Sequence, residues 1–159
     1  MVIYGVSFDM VGKQPIVLLK TVDSNKFLPI WIGHPEAAAI LMKLQGASTP
    51  RPMTHDLMKN ILDEMAVQVS SIVITELREG TFYAAINMQR NGTAYEVSSR
   101  PSDAIALAVR LGCKIYASED VLDEAGIPIP EGEGEGDEDD EVQKFREFLE
   151  NVNPEDFAS

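Results

Sequence analysis

The sequence predicts an α+β domain, a mostly antiparallel sheet with helices packed on it. Three observations carry that reading. Short β-rich runs are separated by turn residues, helical stripes begin at Pro35, Thr54 and Pro101, and a strand-strand-strand-helix pattern occurs twice at an offset of 66 residues. The offset places Pro35 on Pro101, Ala38 on Ala104, Leu41 on Leu107 and Gly46 on Gly112. It also places Ile3 on Val69, Val6 on Ile72, Phe8 on Ile74 and Ile16 on Phe82. An internal duplication is expected, with strands of both halves pairing into one sheet system about a pseudo-twofold axis.

Taken in order, the first half reads as strands Val2–Asp9, Pro15–Thr21 and Lys26–Ile32, then a helix Pro35–Leu44. The breaks fall at Gly12-Lys13-Gln14-Pro15 and Asp23-Ser24-Asn25, both rich in turn formers. A helix Thr54–Glu64 follows, with Leu57, Met58, Ile61, Leu62 and Met65 as its expected buried stripe and Thr54 as its N-cap. The second half reads as strands Val67–Glu76, Thr81–Met88 and Ala94–Ser99, then a helix Pro101–Leu111. Arg78-Glu79-Gly80 and Asn91-Gly92 mark its hairpins, the latter being the strongest short turn signal in the chain. A strand Lys114–Ala117 and a helix Glu119–Ala125 close the body, and Gly126-Ile-Pro-Ile-Pro130 ends it because two prolines forbid further helix. Trp31, Met42, Met53, Met58 and Met65 read as core, and Cys113 as a buried thiol.

The 159 residues divide into a body, 1–130, a disordered acidic linker, 131–141, and a terminal amphipathic peptide, 142–159. Net charge is −13, but residues 131–159 hold twelve acids and two bases, leaving the body at only −3. The linker has no apolar residue to offset its ordering entropy. Beyond it Val142, Phe145, Phe148 or Leu149, and Val152 form one apolar helical stripe, suited to docking on the body, a second copy or a protein partner. No apolar run approaches the roughly 18 residues of a membrane span, so no membrane partner is expected. The start of the chain lacks a signal-peptide pattern and Cys113 is the lone cysteine, which points to a cytoplasmic protein without disulfides or a cysteine-based zinc site.

No phosphate loop, zincin helix or serine elbow is present. The polar residues that can carry chemistry gather at three helix starts: Gly33-His34-Pro35-Glu36, Arg51-Pro52-Met53-Thr54-His55-Asp56 and Arg100-Pro101-Ser102-Asp103. Glu36, Asp56 and Asp103 are of the type that holds a divalent cation, because hard ions take carboxylate oxygens. His34 or His55 suits a general base, and Arg51 and Arg100 suit a phosphate. Helix capping alone also accounts for the three acids, since each lies in a first turn where negative charge complements the helix dipole.

The blocks Phe27–Gly33 with Glu36–Ile40, Arg51–Leu57, and Arg100–Leu107 resemble, in order and spacing, those of the bifunctional nuclease domain family. The resemblance runs from Met1 to Pro130, and Lys144–Leu149 with Pro154–Phe157 is similar to a C-terminal segment of some members. It implies an α+β domain, assembly into homo-oligomers, and hydrolysis of DNA and RNA phosphodiesters. Carried over position by position, it marks Glu36, Arg51, Thr54, His55, Asp56, Arg100, Ser102 and Asp103. In a metal-assisted nuclease His55, Asp56 and Asp103 would be the catalytic residues. Glu36, Asp56 and Asp103 would hold a divalent metal, Mg2+ or Mn2+, with Arg51, Thr54, Arg100 and Ser102 binding substrate. Where many members place an acid and an alanine before the third block, this chain has Ser98-Ser99. Against a nuclease stands a body without a basic stripe or aromatic platform. The alternatives are a non-enzymatic oligomeric module binding a small anion or a protein, and a docking protein working through Phe145, Phe148 and Phe157.

Overall fold

The structure is a computed structural model that describes residues 1–8 and 13–128. The expected acidic linker and terminal helix lie outside the described residues. In chain order the elements are β1 (Val2–Phe8), β2 (Pro15–Lys20), β3 (Lys26–Trp31), α1 (His34–Leu44) and α2 (Thr54–Glu64). There follow β4 (Gln68–Arg78), β5 (Thr81–Arg90), β6 (Thr93–Ser99), α3 (Pro101–Leu111), β7 (Lys114–Ala117), α4 (Glu119–Ala125) and β8 (Ile127–Pro128). The fold is α+β, as the sequence predicts.

The strands form two four-stranded sheets, ordered β1-β2-β3-β8 and β6-β5-β4-β7. All pairings are antiparallel except that of β7 with β4. Each half is therefore an antiparallel meander followed by a helix, in the order expected. The two meanders do not pair with each other, however, and the expectation of one sheet system is wrong. The late strands β7 and β8 extend the two sheets separately, β7 beside β4 and β8 beside β3, which leaves β1 and β6 as the opposite edges. β8 itself went unread, because a two-residue strand ending at Pro128 leaves no periodicity to see; a proline is tolerated at such an edge.

Turn chemistry fixes the second meander. Asn91 and Gly92 both have positive φ, 49° and 79°, as do Glu79 and Gly80 at 50° and 72°. That is the backbone of the two-residue hairpin whose twist matches the strands it joins.

One apolar core unites both halves. Val17, Leu19, Leu28 and Ile30 of the first sheet meet Ile72, Ile74, Ala84 and Ile86 of the second, with Ile40 of α1 and Ile105 and Leu107 of α3 between them. Helix α3 is buried almost all round, which its alternation of Ala104, Ala106 and Ala108 with larger residues permits. Each fully buried Ile or Leu contributes about 1.5–3 kcal/mol.

Helix α2 departs from expectation. Met58 and Leu62 pack on the core, but Leu57, Ile61 and Met65 are 52%, 49% and 47% exposed. The helix turns His55 inward instead, and His55 is its one buried residue. Its N-cap is Met53, not Thr54, which is exposed in the first turn. The expected methionine core holds only in part: Met58 packs on the core, Met42 and Trp31 are half-buried, and Met53 and Met65 are exposed.

Candidate active site

Glu36, Asp56 and Asp103 occupy the same place, the third residue of α1, α2 and α3 respectively. Packing of α3 against both α1 and α2 draws these three first turns together, though the side chains divide into two groups. In the first, Arg100 just before α3 reaches in two directions. Its Nε donates to Asp103 Oδ2 at 2.8 Å and its Nη2 donates to Glu36 Oε1 at 3.0 Å. The other oxygen of Asp103 lies 3.1 Å from His55 Nε2. One guanidinium thus ties two carboxylates from different helices, and one imidazole stands behind the second carboxylate.

Exposure ranks these groups. The Arg100 side chain is 66% exposed, Asp103 26%, Glu36 16% and His55 9%. A ligand arriving from solvent meets Arg100 first, then the carboxylates, and His55 last. Burial pushes the Asp103 carboxyl upward, but hydrogen bonds from Arg100 and His55 outweigh it and hold the group below its ordinary range. The same bonds raise Arg100, first through Asp103 and then through Glu36.

Gly33, the N-cap of α1, is a site residue that motif reading passed over. A Cβ there would collide with the Glu36 carboxylate, so glycine leaves the space into which Glu36 folds. The signal was present in the sequence, as a glycine three residues ahead of an acid at a helix start.

The second group is structural in character. Asp56 Oδ2 accepts from the Met53 backbone N–H at 3.0 Å, and Oδ1 accepts from Arg110 Nε at 2.6 Å. Arg110 is buried and donates as well to the carbonyls of Ala106, at 2.7 Å, and Ala39, at 3.1 Å. One side chain therefore pins α1, α2 and α3 together. Those bonds, Arg110 first and the Met53 amide second, draw Asp56 below its usual range. Arg110 carried no motif signal, because nothing in the sequence distinguishes it from a surface arginine late in a helix.

The remaining expected residues fall around these groups. Ser102 is buried in the first turn of α3. Thr54, Arg51 and His34 are exposed at the starts of α2 and α1, and Thr49 donates its hydroxyl to the Arg51 carbonyl. Among the described residues no three His, Cys, Asp or Glu side chains are gathered to hold a metal ion. The carboxylates are engaged within the protein as arranged. Glu36 and Asp103 each commit an oxygen to Arg100, and Asp56 is committed to Arg110. Cys113 is half-buried, and burial pushes its thiol upward.

Acids at three helix starts, two of them sharing Arg100 and the third held by Arg110, on two sheets of this order, define an α+β domain with its polar groups at the helix N-termini. The bifunctional nuclease domain matches the chain over residues 17–130, and the chain belongs to that family. It is 43% identical to an uncharacterized protein of Mycobacterium tuberculosis, over 99% of this chain and 96% of that one. It is 29% identical to bifunctional nuclease 1 of Oryza sativa subsp. indica and to bifunctional nuclease of Oryza minuta. Those matches cover 76% of this chain but only 38% of each plant protein. No described helix is long and apolar enough to cross a membrane.

Proposed function

We propose that the chain is a phosphodiester hydrolase acting on DNA or RNA, working through the Arg100 cluster. The observation that supports this most is a two-thirds exposed arginine whose two donor directions both end on carboxylates. A phosphate diester offers two non-bridging oxygens that the same Nε–H and Nη2–H donors can take together, and arginine recognises such a pair bidentately. Substrate phosphate thus exchanges with Glu36 and Asp103 for the guanidinium, and Arg51 offers a further cation at the start of α2.

That exchange changes the carboxylates. Asp103 is held below its ordinary range against its burial, chiefly by Arg100. When the guanidinium turns to phosphate, that hydrogen bond is lost and the burial of Asp103 pushes its proton affinity up. Asp103 or Glu36 then takes a proton from the water that attacks phosphorus. The bond from phosphorus to the leaving sugar oxygen breaks with its electron pair going to that oxygen, which takes back the proton held by the carboxylate, while Arg100 stabilises the charge gathering on the phosphoryl oxygens. His55, buried behind Asp103, holds that carboxylate in place rather than meeting water itself. The role of general base, which the sequence suggested for His55, passes in this reading to the carboxylates in front of it. A requirement for Mg2+ or Mn2+ belongs to the same proposal, and no step above depends on it.

Turnover of a supercoiled plasmid and of an RNA oligomer, with and without chelator, tests the reading. Arg100→Met should lower kcat/KM by about 10²–10³-fold, the usual cost of one charge-stabilising donor. Cleavage that survives unchanged in Arg100→Met and Asp103→Asn would remove the cluster from the chemistry. Binding of an oligonucleotide without any turnover would favour the non-enzymatic anion-binding module instead.

A further inference from the structure

The exposed row on α2 is the largest discrepancy between sequence pattern and packing. Leu57, Ile61 and Met65 recur every fourth residue, which aligns them along one side of the helix, and Met53 continues the row at 37% exposed. An amphipathic pattern is normally there to be buried, and no described element covers this one.

We propose that the covering element is the chain's own residues 142–152, packed as a helix antiparallel to α2. Three features select this occupant. The first is reach: the described structure ends at Pro128, and the thirteen residues 129–141 extend to about 43–47 Å. A domain of this size has a radius of gyration of only about 14 Å, so the tether spans any path across its surface. The second is pattern. Val142, Phe145, Phe148 or Leu149, and Val152 repeat at three- and four-residue spacing, over a length of helix close to that of the α2 row.

The third is charge. Asp63 and Glu64 lie at the C-terminal end of α2, and Arg51 stands just before its N-terminal end. In residues 142–152 the order is reversed along the chain, Lys144 and Arg146 coming first and Glu147 and Glu150 after. Antiparallel docking sets the two bases beside Asp63 and Glu64 and directs the acids toward Arg51. Parallel docking would oppose acid to acid. The segment then lies along the helix whose first turn holds His55 and Asp56.

Methyl NMR on the full chain tests the contact. Phe145→Asp with Phe148→Asp should shift the Leu57 and Ile61 methyl resonances and reduce amide-exchange protection across 54–64 severalfold, without changing the mass in solution. Leu57→Ser with Ile61→Ser, both at exposed positions, should abolish the broadening that a spin label at Asn151→Cys, in a Cys113→Ser background, produces on the methyls of α2. Two results would overturn the proposal. One is Leu57 and Ile61 resonances indifferent to the phenylalanine changes. The other is broadening that appears only between a labelled chain and a second, spin-labelled chain, which would assign the row to a partner copy.

Discussion

At the scale of single residues, two arginines on or beside α3 do opposite things. Arg110 is buried and saturated: its guanidinium meets a carboxylate and two backbone carbonyls, and the side chain is 4% exposed. Removing it leaves Asp56 and the carbonyls of Ala39 and Ala106 without that donor. Arg110→Met should therefore destabilise the fold by about 3–5 kcal/mol, read from urea unfolding at neutral pH. Arg100 is exposed, and its loss should cost little stability but change its neighbours. Without it, burial dominates the Asp103 carboxyl, so Arg100→Met should raise the Asp103 midpoint in a carbon-detected NMR titration. An unmoved midpoint would contradict the exchange of proton affinity on which the proposed chemistry relies. The depressed carboxyls also set the acid limb of stability. Asp56 and Asp103 are more acidic folded than unfolded, so their contribution is present above about pH 4 and is lost as pH falls through the folded values. Asp103→Asn should flatten the loss of stability below about pH 4, measured as Tm against pH, and leave the neutral region lower but level.

At the scale of elements, the termini of helices govern what the site can be. Gly33 makes room for Glu36, and Gly33→Ala should push that carboxylate off Arg100 with little effect on unfolding, because the far end of a flexible side chain is what must move. Its signature would be reduced turnover at unchanged Tm. At the other end, Gly112 terminates α3 with φ at 68° and bonds back to the Ala108 carbonyl at 2.8 Å. Gly112→Ala should cost about 1–2 kcal/mol through the left-handed backbone alone. Most element boundaries were legible because they rest on local chemistry: prolines opening α1 and α3, and Asn91-Gly92 and Glu79-Gly80 turning the strands. The face of α2 was not. Its apolar residues satisfy a helical period on more than one side, and only the tertiary demand to seat His55 beside Asp103 decides which side turns inward. The site was legible to the same degree. Residue types and helix starts named Glu36, Arg100 and Asp103 together, but pairing Asp56 with Arg110 required knowing that α2 crosses α3 near that arginine's turn.

At the scale of the whole molecule, charge is divided between a nearly balanced body and a polyanionic tail. If Arg51 and Arg100 meet a phosphate backbone, the eight acids of residues 131–141 are a tethered competitor for the same cations. Tethering makes that competition intramolecular, at an effective concentration of about millimolar for a short flexible linker. Antiparallel docking of residues 142–152 would hold the far end of the tether at the C-terminal end of α2, so both ends of the acidic loop would be fixed to the body. Exposed charges act over about 10 Å at 0.1 M salt and less as salt rises, so the competition belongs to low ionic strength. Removing residues 131–159 should therefore tighten oligonucleotide binding at low salt and change it little at high salt, with fluorescence anisotropy across a salt series as the measurement. Replacing the linker acids with serine while keeping 142–159 separates charge from docking. If charge is the cause, the serine variant matches the truncation at low salt. If both variants bind as the full chain does throughout the series, the tail does not compete for the phosphate site.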